Sequence, residues 1–294
     1  VFLNPATKAS FEPLYDAFLA GLKEHGYVEG RDIAIEQRWA EDRTDRLPAM
    51  AAEAVAMKPA VIVTATSSGI EAVRKATSSI PIVFATGFNP VEQGFVESLR
   101  RPGGNVTGVI VHSDLAGKMV EVAREALPSA KRLAILIHQP DPAYRFSLES
   151  FEPAVRRFAF EPIVVRVTRI EELDRAFAEI ADRRAEALYV PELAFMYSHQ
   201  KELIQRALKA KLPLLTGYQE AATAGALLSY GTLREENYRR AAALVDKILR
   251  GAKPAELPVE QPERFMLVVN RRTARAIGVE LSPVTMLRAN RIVD

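Results

Sequence analysis

The sequence predicts an α/β protein made of two doubly wound lobes, each a parallel sheet with helices on both faces. Three observations carry this. Strand and helix patterns alternate along the whole chain. The rhythm restarts at Leu133, so about five βα units follow another such set. Several strands read as short, continuous apolar runs, as in Ala60-Val61-Ile62-Val63, the mark of a parallel strand covered on both faces. A length of 294 residues suits two domains and needs no covalent staples.

The elements follow in order. Phe2-Leu3 is a clipped first strand. Ser10 is expected to cap a helix with Phe11, Leu14, Tyr15, Phe18, Leu19 and Leu22 on one face, and Gly26 to stop it. Asp32 to Arg38 alternates around Ile33 and Ile35 and reads as a strand. Leu47, Met50, Ala51, Ala54 and Val55 form the next helical stripe. Residues 60–63 are a strand, with Ser67 and Ser68 at the helix start that follows. Residues 81–85 and 106–111 are the next strands, and the chain is expected to cross to the second lobe near Val111 to Asp114. In the second set, 133–137, 163–167, 187–190, 213–215 and 226–229 read as parallel strands. Leu173, Ala176, Phe177 and Ile180 mark one helix, and Leu203, Ile204, Ala207 and Leu208 another. A helix over 235–250, closed by Gly251, leads into a stretch punctuated by Pro254, Pro258 and Pro262. A strand over 265–269 and a short helix over 273–277 end the pattern, and this tail is expected to cross back between the lobes.

Composition removes several function classes. Cysteine is absent, which excludes disulfides, thiolate metal sites and cysteine nucleophiles. There is no P-loop, no Gly-x-Gly-x-x-Gly after a strand, no Gly-x-Ser-x-Gly elbow and no His-Glu-x-x-His. The four histidines, His25, His112, His138 and His199, lack ligand spacing. No cofactor, no metal and no catalytic residue is expected, so the chain is read as a non-enzyme. Its 39 basic and 37 acidic residues are interspersed, which gives no reason for a nucleic-acid partner. No apolar run approaches the roughly 20 residues of a membrane span. The opening Val1-Phe2-Leu3 already reads as strand, so an upstream segment is expected to have been removed or left out.

In open parallel sheets, ligands bind beyond the carboxyl ends of the strands. In the first set those positions hold Asn4-Pro5-Ala6-Thr7, Thr64 to Ser68, and Thr86-Gly87-Phe88-Asn89-Pro90. They offer hydroxyls and backbone N–H groups at helix starts, which suit a carboxylate. In the second set they hold Gln139-Pro140-Asp141, Tyr144, Pro191-Glu192 and Gly217-Tyr218-Gln219-Glu220. These suit an ammonium. The candidate ligand-binding residues are therefore Asn4, Phe11, Thr66, Ser67, Thr86, Phe88, Tyr144, Glu192, Tyr218 and Glu220. Thr66 and Ser67 are assigned to a carboxylate with Thr86 in support, Glu192 or Glu220 to an ammonium, and Phe88, Tyr144 and Tyr218 to apolar walls. Plain structural roles compete: helix capping for Ser67 and Ser68, packing for Tyr144, Tyr218 and Trp39. Arg38, Arg43 and Arg46 read as a solvated face paired with Glu41, Asp42 and Asp45.

A resemblance sharpens this reading. It lies in Gly26-Tyr27-Val28-Glu29-Gly30, Ile35 to Glu41, Asp45-Arg46-Leu47-Pro48, Ile80 to Ala85, Arg101-Pro102-Gly103-Gly104-Asn105-Val106-Thr107-Gly108, and Glu260-Gln261-Pro262 through Asn270, Thr273 and Ala274. In this order the motifs resemble those of the tryptophan/tyrosine-type ABC transporter substrate-binding proteins, nearly end to end. The resemblance implies a type I periplasmic binding protein-like fold, with the two lobes joined by a three-segment hinge. It places residues 1–110 and 231–258 in the N-terminal lobe, and 111–230 and 259–294 in the C-terminal lobe. It implies export to the periplasm, permease subunits in the membrane as partners, a small-molecule ligand held in the inter-lobe cleft, and a monomer. The chain departs from the family's Gly-Asp-Pro by reading Phe88-Asn89-Pro90. The expected function is an extracytoplasmic solute-binding protein of an ABC importer. Its ligand would be a small carboxylate, either an amino acid with an aromatic or apolar side chain or an aromatic acid. The alternative is a ligand-sensing domain of a receptor or regulator with the same fold.

Overall fold

The computed structural model describes residues 1–111, 115–141, 143–262 and 264–294. Of the crossing expected near Val111 to Asp114, residues 112–114, and His112 with them, lie outside the described residues. The strands and helices of the first half are β1 (Phe2–Asn4), α1 (Lys8–Glu24), β2 (Gln37–Trp39), α2 (Leu47–Ala56), β3 (Ile62–Thr64), α3 (Thr66–Ala76), β4 (Ile82–Gly87), β5 (Val106–Ile110), α4 (Leu115–Ala126), β6 (Arg132–His138) and α5 (Tyr144–Arg157). There follow β7 (Glu161–Val167), α6 (Leu173–Asp182), β8 (Ala187–Val190), α7 (Ala194–Ser198), α8 (Gln200–Lys209), β9 (Leu214–Thr216), α9 (Gln219–Ala224), β10 (Leu228–Thr232), α10 (Arg234–Leu249), β11 (Phe265–Asn270), α11 (Arg271–Ile277), α12 (Pro283–Arg288) and β12 (Arg291–Val293). The chain divides into two compact units, Val1–Ser113 with Arg234–Glu263, and Asp114–Leu233 with Arg264–Asp294.

The first unit holds a five-stranded sheet in the order β2-β1-β3-β4-β5, every pairing parallel. Leu3, Ile62, Ile82, Phe84 and Val106 pack from the sheet onto Leu47, Met50, Ala51, Ile70 and Val73 of α2 and α3. Phe11, Leu14, Tyr15, Phe18 and Leu22 are the buried stripe of α1, as the periodicity predicts. α10 belongs to this unit because it packs along α1: the rings of Phe11 and Tyr238 lie 5.9 Å apart, and Arg239 pairs with Glu24. Two local expectations are corrected. The N-cap of α1 is Thr7, whose Oγ1 accepts from Ser10 N at 3.3 Å; Ser10 sits in the first turn and donates its own hydroxyl to Thr7 O at 3.0 Å. The second strand is Gln37–Trp39, not 32–38. Asp32 instead folds back, its carboxylate accepting from Val28 N at 3.0 Å, with Gly30 at φ +79. Arg43 pairs with Asp45 at 2.8 Å as read, while Arg38 turns to Glu36.

The second unit holds a seven-stranded sheet in the order β12-β11-β10-β9-β8-β6-β7. Taken from β6, the sub-order β7-β6-β8-β9-β10 repeats that of the first unit, and these strands are parallel. Its core gathers Leu133, Ile135, Ile137, Phe151, Tyr189, Leu215, Leu228, Leu267 and Val269. One pairing is not parallel. β10 and β11 run antiparallel, from Leu228↔Val269 to Thr232↔Phe265. The chain leaves this unit after Leu233 and re-enters at Arg264, so the outgoing and returning strands lie side by side in opposite directions. The returning tail also adds α12 and the edge strand β12, which the hydrophobic pattern does not announce.

Candidate functional site

Both strand orders reverse beside the first strand of the set, between β1 and β3 and between β6 and β8. Such a switch point is where an open α/β sheet takes its ligand, beyond the carboxyl ends of the strands. The two units are built differently there.

In the first unit that edge is rich in uncommitted polar atoms. Asn4 is fully buried at the end of β1; its Oδ1 accepts from Ala6 N at 3.0 Å, and its Nδ2 has no partner. Thr64 Oγ1 at the end of β3 and Thr86 Oγ1 in β4 are buried without partners too. A buried polar group left unpaired costs about 1–3 kcal/mol, so three at one edge need an explanation. Beside them α3 begins at Thr66, a β-branched residue at φ +61, a strained conformation for its type. Its N-cap is Ala65, which has no side chain able to take the first N–H groups. Ser67 and Ser68 are therefore not the caps. They lie in the first turn, Thr66 Oγ1 and Ser68 Oγ share a hydrogen bond of 3.0 Å, and Ser67 is 2% exposed.

The loop after β4 closes on this turn. Gln93 Nε2 donates to Ser67 Oγ at 2.9 Å and to the carbonyl oxygen of Phe88. Asn89 sits at φ +40 and donates its amide to Glu92 at 2.8 Å. The structure thus joins Ser67 and Phe88 through one glutamine, while Thr66 in the same turn bonds Ser68. Phe11 is placed elsewhere: it is fully buried within α1, with the Trp39 ring at 6.3 Å and the Arg234 guanidinium carbon 5.2 Å above it. Half-buried Trp39 ends β2 opposite Asn4 and donates Nε1–H to Gln37 Oε1 at 3.2 Å. Gln37 in turn donates to the Tyr15 hydroxyl, which donates to Glu29. Burial, then the Glu29 charge, raises the Tyr15 hydroxyl well above its ordinary value, so it stays protonated.

In the second unit the edge is aromatic and acidic. His138, at the end of β6, stacks on Phe195 with ring centroids 4.2 Å apart. Asp141 takes the N–H of Ala143 at 2.9 Å and so shapes the turn into α5. Tyr144 is the half-buried first residue of α5, with Arg145 Nε donating to its hydroxyl at 3.3 Å. Glu192, half-buried after β8, lays its carboxylate against Gly217: a Cβ on residue 217 would come within 2.3 Å of Glu192 Cδ. Burial and the Glu192 charge push the Tyr189 hydroxyl far above its ordinary value. Tyr218 is 2% exposed and gives its hydroxyl to Leu193 O at 2.8 Å, with Tyr197 edge-on at 5.1 Å. It packs beneath the Glu192 loop. Glu220 is exposed in the first turn of α9. Among the described residues no cluster of His, Asp or Glu can hold a metal ion, and no helix is long and apolar enough to cross a membrane.

Gln93 and Thr64 are the residues the sequence reading leaves out of its site. No pattern separates Gln93 from any turn glutamine; Thr64, read as the first position beyond the strand over 60–63 but not singled out as a ligand residue, is the last residue of β3.

Residues 5–293 match the family described as ABC transporter substrate binding protein. The chain belongs to that family. The substrate-binding protein is 23% identical over 271 residues to the tyrosine-binding protein of Clostridioides difficile (strain R20291), covering 92% of this chain and 78% of that one. It superposes with a TM-score of 0.91 on the ABC domain in complex with L-Trp from Streptococcus pneumonia, at 21% identity over 99% of this chain and 98% of that one. A conserved domain protein from Vibrio cholerae O1 biovar El Tor gives 0.93, at 23% identity over 99% and 98%. The type I periplasmic binding protein-like fold, with two lobes of parallel sheet, is shared with these structures. Substrate-binding proteins of this family take small molecules and hand them to permease subunits, and those of ABC importers act outside the cytoplasm.

Proposed function

We propose that this substrate-binding protein serves an ABC importer and binds a small carboxylate. The ligand is an amino acid with an aromatic or otherwise apolar side chain, or an aromatic acid. The observation that carries this reading is the first unit's edge. There the α3 N-terminus, without a side-chain cap, and the unpartnered Asn4 Nδ2, Thr64 Oγ1 and Thr86 Oγ1 are donors awaiting an anion. Ser67 and Thr66 hold the carboxylate, and Thr86 and Asn4 support it. Glu192 takes the ammonium when the ligand has one, in preference to the exposed Glu220. Phe88 and Tyr144 flank the apolar part, and Tyr218 supports from below. Phe11 acts as core. A tyrosine-binding relative and a neighbour in complex with L-Trp support the aromatic amino acid among these classes. The protein works as an exported monomer without turnover.

The test is calorimetry on protein unfolded and refolded to strip any carried ligand, with L-tyrosine, L-tryptophan, L-phenylalanine, L-leucine, L-valine, their desamino acids and benzoate. At least one carboxylate is expected to bind. Ser67→Ala should weaken it about tenfold or more, the value of one charge-assisted hydrogen bond. A stripped, folded protein that binds none of these acids overturns the reading.

A further inference from the structure

Gln93 accounts for both of its amide protons within the first unit. One goes to Ser67 Oγ at 2.9 Å and the other to the Phe88 carbonyl. A carbonyl can only accept, so the amide nitrogen must face Phe88. The same nitrogen lies against Ser67, so the serine oxygen must accept there. A hydroxyl has one proton to give. With its oxygen fed by Gln93, the Ser67 proton is directed to another acceptor.

We propose that Gln93 is the positioning residue that fixes Ser67 as a hydrogen-bond donor to the ligand carboxylate and pins the Phe88 loop to the same turn. The inference rests on the carboxylate reading given above. Its chemistry makes residue 93 a selector. An amide at this position favours a bound anion. A carboxylate there would itself accept the Ser67 proton, repel the Phe88 carbonyl and add negative charge beside the ligand. The loop geometry fits the role. Gln93 N bonds back to Asn89 O at 3.0 Å, and Phe95 N to Pro90 O at 2.7 Å, so the segment that carries residue 93 is internally braced. Motion of Phe88 is therefore tied to Ser67 through one side chain.

The test is a double-mutant cycle read by calorimetry with the best-binding carboxylate from the panel. Gln93→Met keeps length without hydrogen bonding, and Gln93→Glu reverses the polarity. Gln93→Met should weaken binding about tenfold and Gln93→Glu about a hundredfold. In the Ser67→Ala background most of the Gln93→Met loss should vanish, because the residue acts through Ser67. Thermal melts of each variant confirm folding, and if Gln93→Glu fails to fold, the methionine cycle alone decides. Additive losses in the cycle, or unchanged affinity in Gln93→Met, overturn the inference. A stripped wild-type protein that binds no carboxylate is seen before any variant is made, and it removes the reading and this inference together.

Discussion

The two units share one strand order and diverge at its edge. In the first unit the carboxyl ends of the strands present Asn4, Thr64 and Thr86 with unpartnered polar atoms and an α3 start capped by alanine. In the second, the matching ends present a His138–Phe195 stack, a Tyr197–Tyr218 pair and Glu192 folded against Gly217. The interior apolar runs require that each strand be covered on both faces, so both units keep a parallel sheet between helices. The loops that follow carry none of that burden and are free to specialise. The correspondence reaches the second βα unit. A single 3₁₀ turn precedes α2 at Thr44–Arg46 and another precedes α6 at Ile170–Glu172, and each helix has 10 residues.

The largest expected effect tests the correspondence at the fifth strand of each set, where both units use a glycine. A Cβ on Gly108 in β5 would fall 2.2 Å from Phe84 O, and one on Gly231 in β10 would fall 2.1 Å from Gly217 O. Both meet backbone, which cannot swing away. Gly108→Ala and Gly231→Ala should each cost about 3 kcal/mol, and lower the melting midpoint by roughly 10 °C. If calorimetric melts show one harmless and the other severe, the fifth strands are not equivalent.

Next in size is the chemical division between the edges. Glu192→Gln should weaken binding of an amino acid roughly tenfold. It should leave the desamino acid of the same ring unchanged, as read by parallel titrations. Equal losses for both ligands would place Glu192 in support of the fold, not of an ammonium.

The smallest effect compares the two 3₁₀ turns in acid. Hydrogen bonds from Thr168 N at 2.7 Å and Thr168 Oγ1 at 2.9 Å hold the Glu172 carboxyl below its ordinary value of 4.5. The Arg43 guanidinium does the same for Asp45, whose ordinary value is 3.8. A carboxyl with a lowered folded value stabilises above its ordinary value and loses that contribution as pH falls through the folded value. Glu172→Gln should therefore melt below wild type at neutral pH, with the gap closing below pH 4.5. Asp45→Asn should show a smaller gap, since its partner is an exposed side chain and not the backbone. A gap that persists in strong acid in either variant would mean the carboxylate charge is not its source.

The sequence reveals the sheet interiors well, because a buried parallel strand has a composition of its own; residues 187–190 are bounded as β8 is. It reveals less where side chains bond locally. Asp32 diverts a run that alternates like a strand, and Thr7 takes a cap that Ser10 fits equally by type. The antiparallel β11 follows from where the chain returns, which no periodicity encodes. α12 and β12 escape notice because much of their apolar surface faces outward: Leu287 is 88% exposed and Val284 53%, while Met286 is half-buried against the core. For the site, residue type and position beyond a strand point to Thr66, Ser67, Thr86 and Glu192. That Phe11 and Tyr218 turn inward, and that Gln93 joins Ser67 to Phe88, depends on loop paths that only coordinates give.

The division of the chain also sets a timetable for folding. α10, which packs on α1, comes after the whole of Asp114–Leu233, and β11 and β12 complete the second sheet after that. During synthesis the first unit lacks its α10 cover until residues 234–249 emerge, and the second lacks two strands until residue 293. Contacts so distant in sequence form slowly, because long loops must close first. A ribosome-bound chain ending at residue 230 would thus hold two unfinished units. Hydrogen-exchange labelling of stalled chains should find α1 unprotected at that length and protected once residue 263 is free.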